Sequence, residues 1–352
     1  MILLAIWVGL HLAPTLLEAL TRPLYPWDAW DTWVYRAKIW FYQGELVPFY
    51  PPGKVPPGGY ELEAWDYPLF ASLVPLWPAV ALDHWSETLI GLPGWTTALA
   101  IALGLYGAAR LLALPPPWSL LIASVYLSIP LVNSHMALPG YADLWMSGFA
   151  GLGLVLLLIP TGRGFQSLGL LLLTASLFIK KEGIVWLTVG LIYLAIAHRP
   201  RWALAILLLL GTVIWLIPQA SVHIPFLGTW GWADHQLLLG KWGSYSLAFQ
   251  DVNLPLFKSF FLQGSWNLLW LAAACAFLLG LIRLKNPQYA RPLLMLLCLA
   301  APLFVIFFLS SQSQWARDFT AINRLPLQVL PAWLMSCVLL LWRPWRRADQ
   351  SS

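Results

Sequence analysis

Residues 26–41, PWDAWDTWVYRAKIWF, decide how the rest of the chain is read. On a helix, Asp28, Asp31, Tyr35 and Lys38, with Tyr42 just beyond, fall on one face. Trp30, Trp33, Val34, Ala37, Trp40 and Phe41 fall on the other. That pattern describes a helix lying flat in a membrane interface, tryptophans in lipid and two carboxylates and a lysine turned to something polar. Two readings fit, a plain membrane anchor and a functional helix. An anchor gains from Lys and Arg on its polar face, whereas acids are repelled by anionic headgroups, so the acids favour the functional reading.

The surrounding composition supports a membrane setting. The chain has 352 residues, of which 60% are hydrophobic and 10% charged. A soluble domain carries roughly 25% charged residues, so a polytopic membrane protein is expected. The 23 tryptophans and 28 prolines suit interfacial belts and broken or re-entrant helices. The net charge of +5 comes from scattered loop residues, with no basic patch, so no nucleic-acid partner is expected. Cys275, Cys298 and Cys337 sit in apolar runs without metal spacing and read as reduced packing residues. The first twenty residues lack a basic start and a small-residue cleavage site, and read as a first span.

Apolar runs predict ten spans, near 1–20, 88–113, 118–137, 141–159, 165–179, 183–198, 202–218, 266–283, 292–310 and 325–342. Basic residues recur at every second boundary: Arg110, Arg163, Arg199 with Arg201, Arg283 with Lys285 and Arg291, and Arg343 with Arg346 and Arg347. The positive-inside rule places these loops and both termini in the cytoplasm. Residues 67–82 are apolar enough to suggest another span, but a crossing there would flip every later loop. Their length is marginal and Pro75 and Pro78 interrupt them, so they read as re-entrant or juxtamembrane. The whole chain, 1–352, is then one transmembrane domain. Residues 21–87 form its first outer loop and 219–265 a second large one. Almost all carboxylates lie on the outer side.

Short polar patterns collect there: Asp28/Asp31/Lys38, Trp65-Asp66-Tyr67-Pro68-Leu69, Pro139-Gly140-Tyr141-Ala142-Asp143, Lys180-Lys181-Glu182-Gly183, and Asn323-Arg324. Charges at membrane depth cost several kcal/mol unless paired or solvated. Asp143 alone reads equally as an acid complementing a helix N-terminus, and the Lys180 turn as a snorkelling turn or local ion pair. Taken together, acids and bases from separate outer turns suggest one polar cavity. Trp230, Trp232, Asp234, His235, Lys241 and Trp242 in the second outer loop offer either a sugar-stacking wall or an amphipathic loop on the membrane.

DAWDTWVYRAK, DYPL, GYAD and KKEG, in that order and on one side, resemble the GT-C integral membrane glycosyltransferases. The resemblance is to bacterial members of the branch that includes protein mannosyltransferases and aminoarabinose lipid A transferases. It covers roughly residues 1–200 and the Arg324 region. It implies an all-α, GT-C-like fold of about ten transmembrane helices, with amphipathic juxtamembrane helices in the first outer loop. The implied activity is transfer of a sugar from a polyprenyl-phosphate donor to a hydroxyl of a glycan, lipid or protein acceptor. It implies an active site at the outer face of the inner membrane, among membrane lipids.

By the same resemblance, Asp28, Asp31 and Asp143 are the catalytic candidates, with either Asp28 or Asp31 as the base. Lys38, Lys180, Lys181 and Arg324 are the donor-phosphate candidates. Asp66, Tyr67, Glu182, Trp230, Trp232 and His235 are the acceptor- or sugar-binding candidates. A divalent metal, Mg or Mn, is compatible with so many acids but is assigned no ligands. The first outer loop departs from the branch in lacking a clear Asp-Glu or Asp-x-Asp pair, and the chain lacks the branch's C-terminal outer domain. A transporter or flippase, or a non-catalytic subunit of the same fold, are the competing readings. A transporter predicts inverted repeats and midplane charges, and the sequence displays neither.

Overall fold

A computed structural model describes residues 2–138, 140–160, 163–201, 212, 219–225, 228–233, 236–240, 244–246 and 248–342. The chain is mostly helical. It opens with α1 (Ile2–Thr21), followed by a π-helical turn, Ala29–Trp33, that runs into α2 (Val34–Gln43). Gly44, in the left-handed conformation at φ +70°, ends α2. A two-residue parallel pair, β1 (Phe49–Tyr50) with β2 (Tyr60–Glu61), closes the loop before α3 (Phe70–Ala81). With 12 residues, α3 rises about 18 Å, well short of a bilayer core. It packs on α2.

Among the described residues, three helices are long and apolar enough to cross a membrane: α1, the stretch Leu89–Leu111 that contains α4 (Leu92–Leu111), and Gln288–Leu309. Together with the composition, they are consistent with a membrane protein. A fourth candidate is a bent pair, α5 (Pro116–Ser128) and α6 (Pro130–Ala137), which meet at 63°. Pro130 forces Ile129 into extended backbone and so breaks the helix.

The expectation of ten full-length spans is therefore corrected among the described residues. Several expected spans are shorter apolar helices of 10–17 residues: Asp143–Leu158, Gly183–His198, Leu269–Ile282 and Leu330–Leu341. Prolines and π turns shorten or interrupt them. Asp143–Leu158, for example, comprises α7 (Asp143–Met146), a π turn (Ser147–Gly151) and α8 (Leu152–Leu158). Next come α9 (Arg163–Ser176) and α10 (Gly183–His198). The expected span 202–218 lies outside the described residues, apart from residue 212.

The all-α expectation is corrected as well. Within residues 219–265, β3 (Ala220–Ile224), β4 (Gly228–Ala233), β5 (Gln236–Leu239) and β6 (Ser244–Ser246) form an antiparallel sheet in that order. Trp230 pairs with Val222 and Leu239, and Trp232 with Ala220 and Leu237.

The core lies among α4, α5, the 143–158 helix and the helix Leu330–Leu341, around Leu105, Leu114, Tyr126, Leu154 and Leu330, all fully buried. At Gly151 a Cβ would stand 2.6 Å from Pro331 Cδ, so the missing side chain lets those two helices touch. All three cysteines are free. Cys298 and Cys337 are buried, whereas Cys275 is exposed on the outer face of its helix, which corrects its expected packing role.

Chain direction sorts the helix ends. Asp28 follows the end of α1, Asp143 starts α7, and Lys180–Glu182 link α9 to α10. Arg163 starts α9, and Arg199 caps the far end of α10. The Arg283 guanidinium donates to the Leu340 carbonyl at the far end of the helix that follows Arg324. Acids and bases thus cluster at one end of the helices, and these basic residues, without a carboxylate partner among the described residues, lie at the other.

Candidate functional site

The site grows from the π turn. Asp28 precedes Ala29–Trp33, and a π turn holds one residue more than an α turn. Everything after it is rotated by about 100° relative to a regular α-helix. Lys38, which a uniform helix places on the Asp28 face, leaves it, and Asp31 lies within the π turn itself. Trp33 and Trp40 turn into protein, with 3% and 4% of their surface exposed, which corrects their expected lipid-facing position. Trp30 alone of that trio stays exposed.

Arg36 fixes the next segment. It is 1% exposed and donates to the carbonyls of Ala64 (2.8 Å), Trp65 (3.2 Å) and Tyr67 (3.2 Å). Burial pulls its guanidinium down to about 10, with Asp66 opposing the shift. The Asp66–Tyr67 corner is thereby hung on α2. Lys181 reaches the same corner, donating to Asp66 at 2.6 Å and lying over the Tyr67 ring. Burial, with Glu182 adding to it, raises the Tyr67 phenol above its ordinary range, so it stays a neutral donor.

The third pattern approaches from the other side. Gly140 adopts φ +105°, and a Cβ there would overlap the Ala29 methyl. Only glycine lets the backbone at 140 lie against the π turn. Three residues after Gly140, Asp143 is fully buried and both of its oxygens accept hydrogen bonds. Its Oδ1 accepts from Lys180 Nζ at 3.0 Å and Gln328 Nε2 at 2.8 Å, and its Oδ2 from Arg324 Nε at 2.8 Å. Gln328 is oriented in turn by Trp186 Nε1, at 2.7 Å.

Arg324 is the bridge. With Nε on Asp143, it turns both terminal nitrogens to the Asp28 carboxylate, forming a two-point ion pair. Its face lies over the Tyr141 ring at 5.2 Å. Burial alone would lower the Arg324 guanidinium, but Asp143 and Asp28 outweigh it and hold it above its usual range. Lys180 follows the same logic. Burial would lower it, yet Asp143 and Glu182, the latter at 3.1 Å, keep it above the lysine range. Asp28, Asp143 and Glu182 against Lys180 and Arg324 give −3 + 2 = −1 for the cluster.

Above this cluster is a cavity of about 230 Å³. Asp28, Trp33, Tyr67, Lys180, Glu182 and Arg324 are among the residues that line it. Trp33 Nε1 and Glu182 Oε2, on two of its lining residues, are buried without a hydrogen-bond partner among the described residues.

The expected site is thus partly assembled and partly redistributed. Asp28, Tyr67, Lys180, Glu182 and Arg324 line the cavity. Asp143 lies beneath it, too enclosed to touch a ligand, and acts by holding Lys180 and Arg324. Asp66 and Lys181 pair at its edge. Lys38 does not reach it and instead pairs with Glu87 at 3.0 Å. Asp31 is half-buried, lies outside the lining and has no hydrogen bond or ion pair among the described residues. Trp230 and Trp232 sit on β4 and do not line the cavity; His235 lies outside the described residues.

Sequence reasoning missed Gln328, Arg36 and Tyr141. Gln328 stands one turn after Arg324, a spacing that signals a shared face. Arg36 falls within the apolar stripe Trp33–Ala37–Trp40, which signals a buried cation. Tyr141 was quoted in its motif without a role.

Among the described residues, no group of three or more His, Cys, Asp or Glu side chains is placed to hold a metal ion. Asp28, Asp143 and Glu182 face Arg324 and Lys180 instead, so the donor set does not fit Mg or Mn. No protein-family model, no curated protein and no solved structure matches the chain.

Proposed function

We propose that the chain is a membrane glycosyltransferase that takes a sugar from a polyprenyl-phosphate donor at the outer face of the membrane. The observation that carries this reading is the Arg324 bridge. Four sequence patterns meet at one cavity, where a carboxylate is held by a cation suited to phosphate. The helix ends support the orientation, since the basic residues without a carboxylate partner among the described residues lie opposite the cavity.

The chemistry follows from the ion pairs. At rest Asp28 is occupied, because both of its oxygens accept from Arg324. A donor phosphate competes for the same two-point fork, which binds phosphate as well as carboxylate. Once Arg324 turns to the phosphate, Asp28 is released as a base. It takes the proton of the acceptor hydroxyl while that oxygen bonds to the anomeric carbon. The bond from that carbon to the phosphate oxygen breaks, and the electron pair stays on the polyprenyl phosphate. Its charge rises from −1 to −2, and Arg324 and Lys180 stabilise the increase. Trp33 Nε1 and Glu182 Oε2 offer a hydrogen bond each to sugar hydroxyls. Asp28 is the better base candidate than Asp31, because only Asp28 lines the cavity.

The test is turnover by the purified protein in lipid nanodiscs, supplied with a radiolabelled polyprenyl-phosphate hexose and a membrane extract as acceptor source. Release of free polyprenyl phosphate with label moving into the extract supports the proposal. If a panel of hexose and pentose donors neither binds nor turns over, the proposal fails.

A further inference from the structure

A second cavity, of about 290 Å³, shares no lining residue with the first. It opens between the last turns of α1 and α6, on Thr15, Glu18, Arg22, Asn133 and Ser134. Thr15 and Ser134 are spoken for: the Thr15 hydroxyl donates to backbone carbonyls of α1 and accepts from Trp95 Nε1, and Ser134 donates to the Pro130 carbonyl. Asn133 Oδ1 is different. It is buried and has no donor among the described residues, which is costly unless a ligand supplies one.

Two opposite charges complete the lining. Arg22 donates to Glu18 at 3.2 Å, one turn apart on α1, and both side chains are well exposed. Such an exposed pair is weakly held and readily exchanged for a ligand's charges. Beside it Leu17 and Leu20 are exposed on α1, a helix long and apolar enough to cross a membrane. The cavity therefore lies where a spanning helix ends, with lipid-facing leucines next to it. Its ligand requirements are an anion for Arg22, and N–H donors for Glu18 and for Asn133 Oδ1.

We infer that this cavity takes the headgroup of a phospholipid bearing a primary ammonium. The phosphate accepts from Arg22. The ammonium, two carbons away, donates to Glu18 and to Asn133 Oδ1. A primary ammonium has three N–H donors, whereas a quaternary choline has none, and a glycerol headgroup brings no charge for Glu18. This inference does not depend on the proposed transferase activity.

Lipid retention tests it. The purified full chain, stripped of lipid in detergent, is offered phosphatidylethanolamine, phosphatidylcholine or phosphatidylglycerol, and bound lipid is counted by native mass spectrometry. Wild type is expected to retain the ethanolamine lipid at least about fivefold over the other two. Glu18→Gln removes that preference, and Arg22→Ala lowers retention of all three. Asn133→Leu lowers the ethanolamine lipid most, and Lys285→Ala, at an exposed position at the other end of the helices, changes nothing. Equal retention of the three lipids by wild type overturns the inference. So does unchanged retention in both Glu18→Gln and Arg22→Ala, or full displacement of the lipid by inorganic phosphate. Should Asn133→Leu fail to fold, the two exposed substitutions still decide the matter.

Discussion

Two segments, 21–87 and 219–265, look alike in sequence and fold differently. Both are rich in tryptophan, and both carry acids and bases. In the first, Trp33 and Trp40 are buried, Arg36 ties α2 to the Asp66–Tyr67 corner, and Asp28 reaches Arg324 across 296 residues of chain. In the second, Trp230 and Trp232 lie half-buried on a four-stranded sheet and line no part of the cavity. Aromatic density does not separate the two. Among the described residues, what does is a cation buried among carbonyls or carboxylates, because such a cation forces distant backbone to converge on it.

The largest expected effect breaks the converging network at its base. Asp143→Ala leaves Lys180 and Arg324 without their shared anion, and removing one partner of a buried ion pair costs about 3–5 kcal/mol. Chemical denaturation in mild detergent, followed by tryptophan fluorescence, measures it.

Next, Arg36→Met removes three hydrogen bonds to buried carbonyls and is expected to cost about 2–3 kcal/mol. Hydrogen exchange at residues 64–69 should accelerate in this variant. Trp232→Ala should leave exchange there unchanged, which sharpens the contrast between the segments.

Lys38→Ala is expected to cost no more than about 1 kcal/mol, since its pair with Glu87 is solvent-exposed. A thermal melt that falls as far as that of Asp143→Ala would place Lys38 back in the network.

The smallest effect near neutral pH is that of pH itself. The folded Lys180 lies above its unfolded value, so its contribution is complete below about 10.4 and lost as pH rises through the folded value. Stability governed by Lys180 is expected to stay flat near neutrality and fall at strongly alkaline pH, and Lys180→Met to remove that alkaline step.

The sequence carried the convergence but not its geometry. Asp28, Asp143, Lys180, Glu182 and Arg324 were legible as one cavity because charges flanking apolar runs on one side have few other places to go. Periodicity showed which face of 26–41 is apolar, but not whether lipid or protein covers it, so Trp33 and Trp40 were misplaced. Nor does periodicity reveal a π turn, and that one extra residue moved Lys38 off the Asp28 face. The strands at 220–246 were missed because hydropathy windows long enough to find spans average over segments of three to six residues. Ten apolar runs were countable, yet run length does not report where proline or a π turn interrupts a helix.

The central claim is that Asp28, released from Arg324, is the base of a sugar transfer. Turnover of a polyprenyl-phosphate sugar by Asp28→Asn and Asp31→Asn, each compared with wild type, tests it most directly. Asp28→Asn is expected to lose about 10²–10⁴-fold in turnover while still binding donor, and Asp31→Asn to stay near wild type. Full activity in Asp28→Asn, or its loss in Asp31→Asn alone, would contradict the account.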